Sequence, residues 1–201
     1  MNANTLHIGT TAVATPAREV AGDYVTLGSE RFYRIANVDG MDPFFMSIVS
    51  AADHWLFLWS SGGLTAGRQN CDNALFPYYT EDKLRDQADS TGPRTVLRVN
   101  RGDKRFLWEP FSRHCGALYD VSRNLYKNVT GNIVVFEEIN RDLALTFRYS
   151  WKLSDRFGFV KHSELVNSGQ EQAVVEVLDG LENLMPQGLA ESFQTSFSSL
   201  G

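Results

Sequence analysis

The chain has 201 residues, of which 43% are hydrophobic and 21% are charged. This composition is that of a globular protein with enough apolar side chains to build a core, and it excludes disordered, collagen-like and coiled-coil classes. Because 24 acidic residues outnumber 19 lysines and arginines, giving a formal charge of -5, the broad basic surface of a nucleic-acid-binding protein is missing. One large domain or two small ones would fit this length.

Cysteine content and the N-terminal sequence favour a cytoplasmic protein. Cys71 and Cys115 allow one disulfide at most, and we expect two free thiols. Residues 1–15 lack the basic start and apolar run of a secretory signal, so secretion would require a signal that is missing from this sequence. Asp53 and His54 interrupt the most apolar stretch, residues 44–59, before it reaches the roughly 20 residues of a membrane span. We therefore expect no membrane partner.

Alternation of apolar and polar residues with a period of two predicts a chain made mainly of β-strands. The clearest case is residues 143–153, where every second residue is apolar or aromatic. The predicted strands, in chain order, cover residues 24–27, 32–36, 44–50, 55–59, 95–99, 106–108, 118–128, 133–139, 143–153, 157–166 and 173–178.

The segments between these strands predict how they are connected. Residues 140–142 and 167–169 have turn-forming sequences, and each predicts a β-hairpin. One short helix is predicted from an N-cap at Thr80 to about Ala88, and the polar chain after residue 180 has no predicted strand. Many strands with short turns and no long amphipathic helices predict an all-β antiparallel sandwich with one or two short helices.

The titratable residues form no recognisable catalytic or metal-binding motif. Glu137 and Glu138 are neighbours on a predicted strand and must face opposite sides, so we expect one solvated carboxylate and one contact at the rim of the sheet. No pair of histidines has the spacing of zinc ligands, and His114 beside Cys115 is expected to be a loop histidine next to a packed thiol. We therefore predict no metal, no cofactor and no catalytic residue from these motifs.

The strongest functional signal is the segment SSGGLTAGRQNCDNALFPYYTED, residues 60–82, which follows two tryptophans. Aromatic faces cover the apolar C–H face of a pyranose, and amide and guanidinium groups supply hydrogen bonds to its hydroxyls. The alternative is structural, with Phe76, Tyr78 and Tyr79 closing the open end of a sandwich and Arg68 paired with a carboxylate. The residues predicted to contact carbohydrate or form an interface are Trp55, Trp59, Arg68, Gln69, Asn70, Phe76, Tyr78 and Tyr79.

Three segments in order, RFYRIANVDGMDPFF, GGLTAGRQNCDNALFPYYTEDK and FGFVKHSELVNSGQEQAVVEVLDGLENLMPQG, give the chain a family resemblance. It resembles the N-terminal β-domain of cellobiose-phosphorylase-like proteins, which are related to the family 94 glycoside phosphorylases, and residues 174–188 are the most specific part. The resemblance implies a single β-supersandwich over residues 1–201, similar to the galactose mutarotase fold. In such proteins a helical linker and an (α/α)6 barrel follow, so the chain is expected to be an N-terminal fragment.

The resemblance also implies a function. Catalytic acid and phosphate-binding residues of such enzymes belong to the barrel, so no catalytic residue is carried over to this chain. The implied role is a non-catalytic domain of a glycoside phosphorylase or hydrolase that contributes to the rim of a sugar site, to packing on the missing C-terminal helical domain or to a homodimer.

Two other functions stay open. One is an autonomous mutarotase-like sugar-modifying enzyme, which requires His54, His114 or His162 to converge with a carboxylate such as Glu164 or Asp179 for acid-base catalysis. The other is an interaction domain that makes no contact with sugar.

Overall fold

The computed structural model describes residues 6–13 and 18–197, and it confirms the predicted all-β sandwich with short helices. Within these residues, strands form antiparallel sheets of six, three, three and two strands. The strands are β1 His7–Ile8, β2 Thr11–Ala12, β3 Ala21–Leu27, β4 Glu30–Ala36, β5 Phe45–Ile48, β6 His54–Trp59, β7 Leu64–Arg68, β8 Gly92–Arg101, β9 Lys104–Trp108, β10 Val121–Asn128, β11 Ile133–Asn140, β12 Leu145–Ser154, β13 Gly158–Asn167 and β14 Val174–Glu182. The α-helices are α1 Glu81–Asp86 and α2 Glu191–Phe197, and single 3-10 turns lie at Val38–Gly40, Cys71–Asn73 and Gly116–Leu118.

One hydrophobic core connects the three larger sheets. The large sheet has the strand order β13-β12-β11-β10-β4-β3, and the smaller ones, here called the β8 sheet and the β6 sheet, have the orders β14-β8-β9 and β5-β6-β7. Phe136, Phe147 and Trp151 of the large sheet belong to the same buried cluster as Leu97 of the β8 sheet and Leu56 of the β6 sheet. The two smaller sheets therefore pack on one side of the large sheet, here called its inner face.

The predicted hairpin at residues 140–142 is confirmed, because β11 pairs with β12 directly across this turn. The second predicted hairpin is wrong. Asn167 does form the expected local turn, with its Oδ1 accepting a hydrogen bond from the amide of Gly169. However, β13 pairs with β12 in the large sheet, whereas β14 pairs with β8 in another sheet. Residues 168–173 are therefore a connection between sheets rather than a hairpin.

Strand β7 was not predicted, because residues 60–82 have the composition of a loop. Gly67 lies in the middle of this strand for a packing reason: a Cβ there would come within 2.3 Å of Cζ2 of Trp55 on the neighbouring strand. Helix α1 confirms the helix predicted after Thr80, with Thr80 as its N-cap residue. The Thr80 hydroxyl donates to the Asp82 carboxylate at 2.5 Å rather than to a helix amide.

Two further observations concern the helices. Helix α2 lies in the C-terminal segment for which no regular structure was predicted. In the described parts of the chain, none of the helices has the length and apolar character needed to cross a membrane.

Candidate functional site

Four aromatic side chains form a continuous row on the outer face of the β6 sheet. They lie here because β6 alternates, with Leu56 buried in the core and its neighbours Trp55 and Phe57 on the opposite side. Trp55 and Phe57 have ring centroids 5.7 Å apart, and Phe57 lies 5.8 Å from Phe45 on β5, both pairs at an interplanar angle of 24°. Tyr78 meets Trp55 edge-on at 5.8 Å. We call Phe45, Phe57, Trp55 and Tyr78 the aromatic row.

Both ends of the row are accessible and its middle is fixed. Phe45 is 41% exposed and Tyr78 is 42% exposed, whereas Trp55 and Phe57 are half-buried. The indole of Trp55 lies against Gly67, where any larger residue would collide with it. The Gln194 side chain of α2 accepts a hydrogen bond from the amide of Tyr78 and donates one to its carbonyl, at 3.2 and 3.3 Å. The backbone that carries Tyr78 is therefore held by a second element.

Three polar residues lie at the end of β7, and the pairing of Arg68 with His54 places Arg68 on the face of the β6 sheet opposite to the row. Arg68, Gln69 and Asn70 are all exposed, and Gln69 has a positive φ of 63°, which turns the chain out of the strand. The Asn70 carboxamide oxygen accepts a hydrogen bond from Asn73 Nδ2 at 2.9 Å. Within the described residues Arg68 forms no ion pair, so its guanidinium group is available to an external acceptor.

The remaining aromatic residues of the predicted site lie elsewhere. Phe76 is completely buried and packs edge-on against Trp151 at 6.3 Å, so it cannot touch a ligand at the surface. Trp59 is buried at the margin of the row, 6.3 Å from Phe45, and its Nε1 donates to the carbonyl of Glu81 at 3.0 Å. Tyr79 is half-buried and makes no ring contact with the row in the described structure.

Two members of the row, Phe45 and Phe57, were not predicted as site residues. A signal for one of them existed in the sequence. Phe57 lies midway between Trp55 and Trp59, so the alternation of the strand places all three side chains on the same face. Phe45 is opposite Trp59 across the β5–β6 pair, and only the register of that pair brings it to the row.

A cleft of about 910 Å3 opens beside the row, between α1, the Val38–Gly40 turn and the inner face of the large sheet. Its aromatic wall consists of Trp59, Phe111, Phe136 and Tyr149. Phe136 and Tyr149 stack with their centroids 4.8 Å apart at 12°, and Phe111 meets Tyr149 edge-on at 5.2 Å. Desolvation by burial raises the pKa of Tyr149, so its hydroxyl stays protonated at neutral pH.

The two adjacent glutamates depart from their predicted environment. They do lie on opposite faces of β11, but neither is solvated: Glu137 is 2% exposed and Glu138 is completely buried. The physical reason is the register of the large sheet. Arg148 lies directly opposite Glu137 on β12, and Arg123 lies directly opposite Glu138 on β10, and each arginine forms an ion pair with its partner. Burial is tolerated because each charge is paired and hydrogen-bonded.

Glu137 is the centre of a hydrogen-bonded network on the outer face of the large sheet. Its Oε1 accepts from Asn124 Nδ2 and from the Tyr126 hydroxyl, both at 2.7 Å, and its Oε2 accepts from Arg148. Burial alone would raise the pKa of Glu137, but these three hydrogen bonds outweigh it, and the pKa is lowered. Burial and the hydrogen bond to Glu137 raise the pKa of Tyr126. The network therefore holds one fixed charge rather than a group that exchanges protons near neutral pH.

Among the described residues, no histidine is hydrogen-bonded or ion-paired to Glu164 or Asp179, the carboxylates considered for acid-base catalysis. His54 packs edge-on against Phe159 at 5.3 Å, and His162 is exposed on the outer side of β13. Glu164 pairs with Arg148 at 3.2 Å, and Asp179 pairs with Lys161. These pairings leave both carboxylates bonded to cations rather than to an imidazole.

No metal centre is found among the residues that the structure describes, since no three or more His, Cys, Asp or Glu side chains are grouped to hold an ion. Cys71 and Cys115 are free thiols, as predicted. The amide of His114 donates to the Ser112 hydroxyl at 3.2 Å, within the turn that precedes the Gly116–Leu118 segment.

Comparison with known proteins leaves the family open. No family model matches the chain, and a search of curated proteins finds no significant match. The resemblance to the N-terminal domain of cellobiose-phosphorylase-like proteins therefore stays a prediction from the sequence.

Proposed function

We propose that this chain is a non-catalytic β-sandwich domain that binds carbohydrate on the aromatic row. The observation that carries the proposal is the continuous contact of the four rings, from Phe45 to Tyr78, on an outer face where both end rings are accessible. Sugar rings place their apolar C–H face against aromatic rings, and several rings in sequence offer contact to consecutive sugar units. Gln69 and Asn70, which are exposed and follow the Gly67 that supports Trp55, can offer hydrogen bonds to sugar hydroxyls.

Preorganisation supports this proposal. A binding surface gains affinity when its side chains need little ordering, and aromatic residues have few rotatable bonds to fix. Trp55 is held against Gly67, and the segment of Tyr78 is held through Thr65, whose hydroxyl donates to the Pro77 carbonyl at 2.8 Å. A contiguous apolar surface with accessible end rings is typical of a ligand-binding or interaction site.

The proposed domain acts beside a catalytic region rather than as an enzyme of its own. In the intact protein the row would form part of the rim of a sugar site, and the chemistry, cleavage or phosphorolysis of a glycosidic bond, would belong to a following helical domain of the type that the resemblance implies. The pairing of Glu164 and Asp179 with Arg148 and Lys161 supports a non-catalytic role, because an acid-base pair needs a group that is free to move a proton.

The test measures oligosaccharide affinity of the 201-residue chain by isothermal titration calorimetry with cellohexaose, xylohexaose and laminarihexaose. We expect at least one of them to bind, and we expect Trp55→Ala or Tyr78→Ala to weaken binding by about tenfold, since loss of one ring contact removes about 1.4 kcal/mol. Arg68→Ala should change the affinity less than about twofold, because the register places Arg68 on the opposite face of the β6 sheet.

Phe157→Ala is the matched control, because Phe157 is 70% exposed on the turn between β12 and β13 and makes no ring contact with the row in the described structure. Its affinity should equal that of the parent chain. The proposal is wrong if none of the three hexasaccharides binds, or if the Trp55 and Tyr78 variants bind as tightly as the Phe157 variant. If these variants instead change only the molar mass in solution, measured by light scattering, the row is a protein interface and not a sugar site.

A further inference from the structure

Two hydroxyl groups at the cleft have no hydrogen-bond partner among the residues that the structure describes. Tyr149 is 5% exposed, and its hydroxyl forms no hydrogen bond with any described residue. The Ser61 hydroxyl is buried and has no partner either. Both residues line the cleft and also the small pocket that adjoins it, so the two hydroxyls border the same space. Of the two, the Ser61 hydroxyl is the buried one, and a buried polar group without a partner costs about 1–3 kcal/mol. A ligand hydroxyl that bonds to it would remove this cost.

From this arrangement we infer that the cleft is a second binding site, specific for a small neutral polyhydroxylated molecule of the size of a monosaccharide or disaccharide. A hydroxyl group both donates and accepts, and its best complement is a ligand that offers both functions at one position, as another hydroxyl does. Tyr149 and Ser61 supply two such groups to the lining of the cleft. The site does not depend on the proposed function of the aromatic row.

The wall of the cleft fits the apolar side of the same ligand. Phe136 and Tyr149 are nearly parallel, and Phe111 stands perpendicular to Tyr149. These rings are large, rigid and anchored in the core, so they supply apolar contact area at a small entropic cost. The volume of about 910 Å3 lies within the range of about 300–1,000 Å3 that small-molecule sites usually have.

The charges around the cleft favour a neutral ligand. The lining includes three arginines and four acidic residues, so neither sign dominates. Two of the arginines are already engaged: Arg123 binds Glu138 and the Ser112 carbonyl, and Arg113 pairs with Asp89 at 3.3 Å. The cleft therefore lacks the uncompensated cluster of cations that would select a phosphate or a carboxylate.

The cleft and the aromatic row are neighbours with separate test residues. Trp59 borders both, since it lines the cleft and contacts Phe45 of the row. Tyr149 and Ser61 belong to the cleft alone, whereas Trp55 and Tyr78 belong to the row alone. Variants of these pairs distinguish the two sites.

The experiment titrates the chain with glucose, maltose and glucose 6-phosphate, followed by calorimetry and by NMR chemical shifts. We expect glucose or maltose to bind, with glucose 6-phosphate weaker. Tyr149→Phe removes one oxygen atom and no intramolecular hydrogen bond, so it should keep the melting temperature of the parent chain while weakening binding about fivefold. Ser61→Ala should have an effect of similar size, and Tyr78→Ala should have none.

Three results would overturn the inference. The first is that neither glucose nor maltose binds the parent chain at millimolar concentration. The second is that Tyr149→Phe and Ser61→Ala both bind as the parent does, and the third is that glucose 6-phosphate binds more tightly than glucose. Failure of the aromatic row would be seen separately, with hexasaccharides and the Trp55 and Tyr78 variants.

Discussion

Glu138 links two sheets of the sandwich from inside the core, and its substitution by glutamine is the sharpest test of the fold. Its Oε1 accepts from Trp108 Nε1 on β9 at 2.8 Å, and its Oε2 accepts from the Phe111 amide and from Arg123 Nε, both at 2.7 Å. All three partners donate hydrogen bonds. The NH2 group of a glutamine would therefore face at least one donor, and Arg123 would lose its counter-charge.

The expected cost follows from these contacts. One buried donor left unpaired costs about 1–3 kcal/mol, and removal of one partner of a buried ion pair costs about 3–5 kcal/mol. Arg123 keeps its hydrogen bond to the Ser112 carbonyl and some solvent access, which reduces the second contribution. We therefore expect Glu138→Gln to lower the free energy of unfolding by about 3 kcal/mol, a large share of the about 5–15 kcal/mol of a typical domain.

Urea unfolding at pH 7, followed by tryptophan fluorescence, measures this difference, with Trp108 as one of the reporting rings. Glu164→Gln is the matched control, because it removes a half-exposed carboxylate that pairs with Arg148 at 3.2 Å. Such a pair contributes less than about 1 kcal/mol. The reasoning is refuted if Glu138→Gln loses no more stability than Glu164→Gln, since the buried carboxylate would then not hold the sheets together.

Two further predictions concern Trp55 and the β13–β14 contact. Gly67→Ala should lower the free energy of unfolding by about 1–3 kcal/mol, measured by thermal or urea unfolding, because its Cβ collides with Trp55. Gly180→Ala should be nearly neutral, since nothing lies within 4 Å of a Cβ there. Equal effects of the two substitutions would contradict this packing. Burial alone would raise the pKa of Asp179, but hydrogen bonds from Lys161 and Thr95 outweigh it, and the pKa is lowered. Asp179 therefore stabilises the fold above its unfolded-state pKa of about 3.9, and this stability is lost as the pH falls through the lower folded-state pKa. Asp179→Asn should flatten the acid side of a stability-against-pH curve, and an unchanged slope below about pH 4 would count against the pairing.

The sequence predicted the sandwich because alternation is a local property. In residues 145–153 every second residue is apolar, and these residues, including Phe147, Tyr149 and Trp151, lie in the core. The inner face of β12 was therefore predictable from the sequence. The β11–β12 hairpin follows in the same way from its turn residues. What failed depends on distant parts of the chain: the turn at Asn167 is real, yet the partner of β14 is β8, about 80 residues earlier in the sequence.

The buried glutamates show how register decides an environment that composition cannot. Alternation already places the two glutamates on opposite faces, but glutamates are usually at the surface, and their composition predicts a solvated and a rim position rather than two buried ones. The hairpin turn at residues 140–142 brings Glu137 opposite Arg148, so this ion pair could have been predicted from the sequence. The partner of Glu138 was not, because the pairing of β10 with β11 and the position of Trp108 come from the assembled sheets.

The aromatic row could be predicted in part from the sequence, whereas the cleft could not. Trp55 and Tyr78 were predicted from the composition of their neighbourhood, and the structure brings their rings together. The cleft was not predicted, because its wall joins Phe111, Phe136 and Tyr149 with α1 and the Val38–Gly40 turn, which are separated in the sequence. A hydroxyl group without a hydrogen-bond partner cannot be recognised from a sequence, because its surroundings are known only in the folded structure.

Strand β6 connects the two sites physically. Its buried residues, Leu56 and Leu58, anchor the β6 sheet in the core, and this fixes the direction of the residues that alternate with them. Trp55 and Phe57 are thereby turned outward into the row, while Trp59, at the end of the strand, binds the Glu81 carbonyl and positions α1 as one wall of the cleft. Gly63 allows α1 to lie this close to the turn after β6, because a Cβ there would come within 2.2 Å of the Leu84 carbonyl oxygen in α1. A single alternating strand therefore determines the geometry of both the exposed row and the enclosed cleft, and substitutions at Leu56 or Leu58 should disturb both sites together.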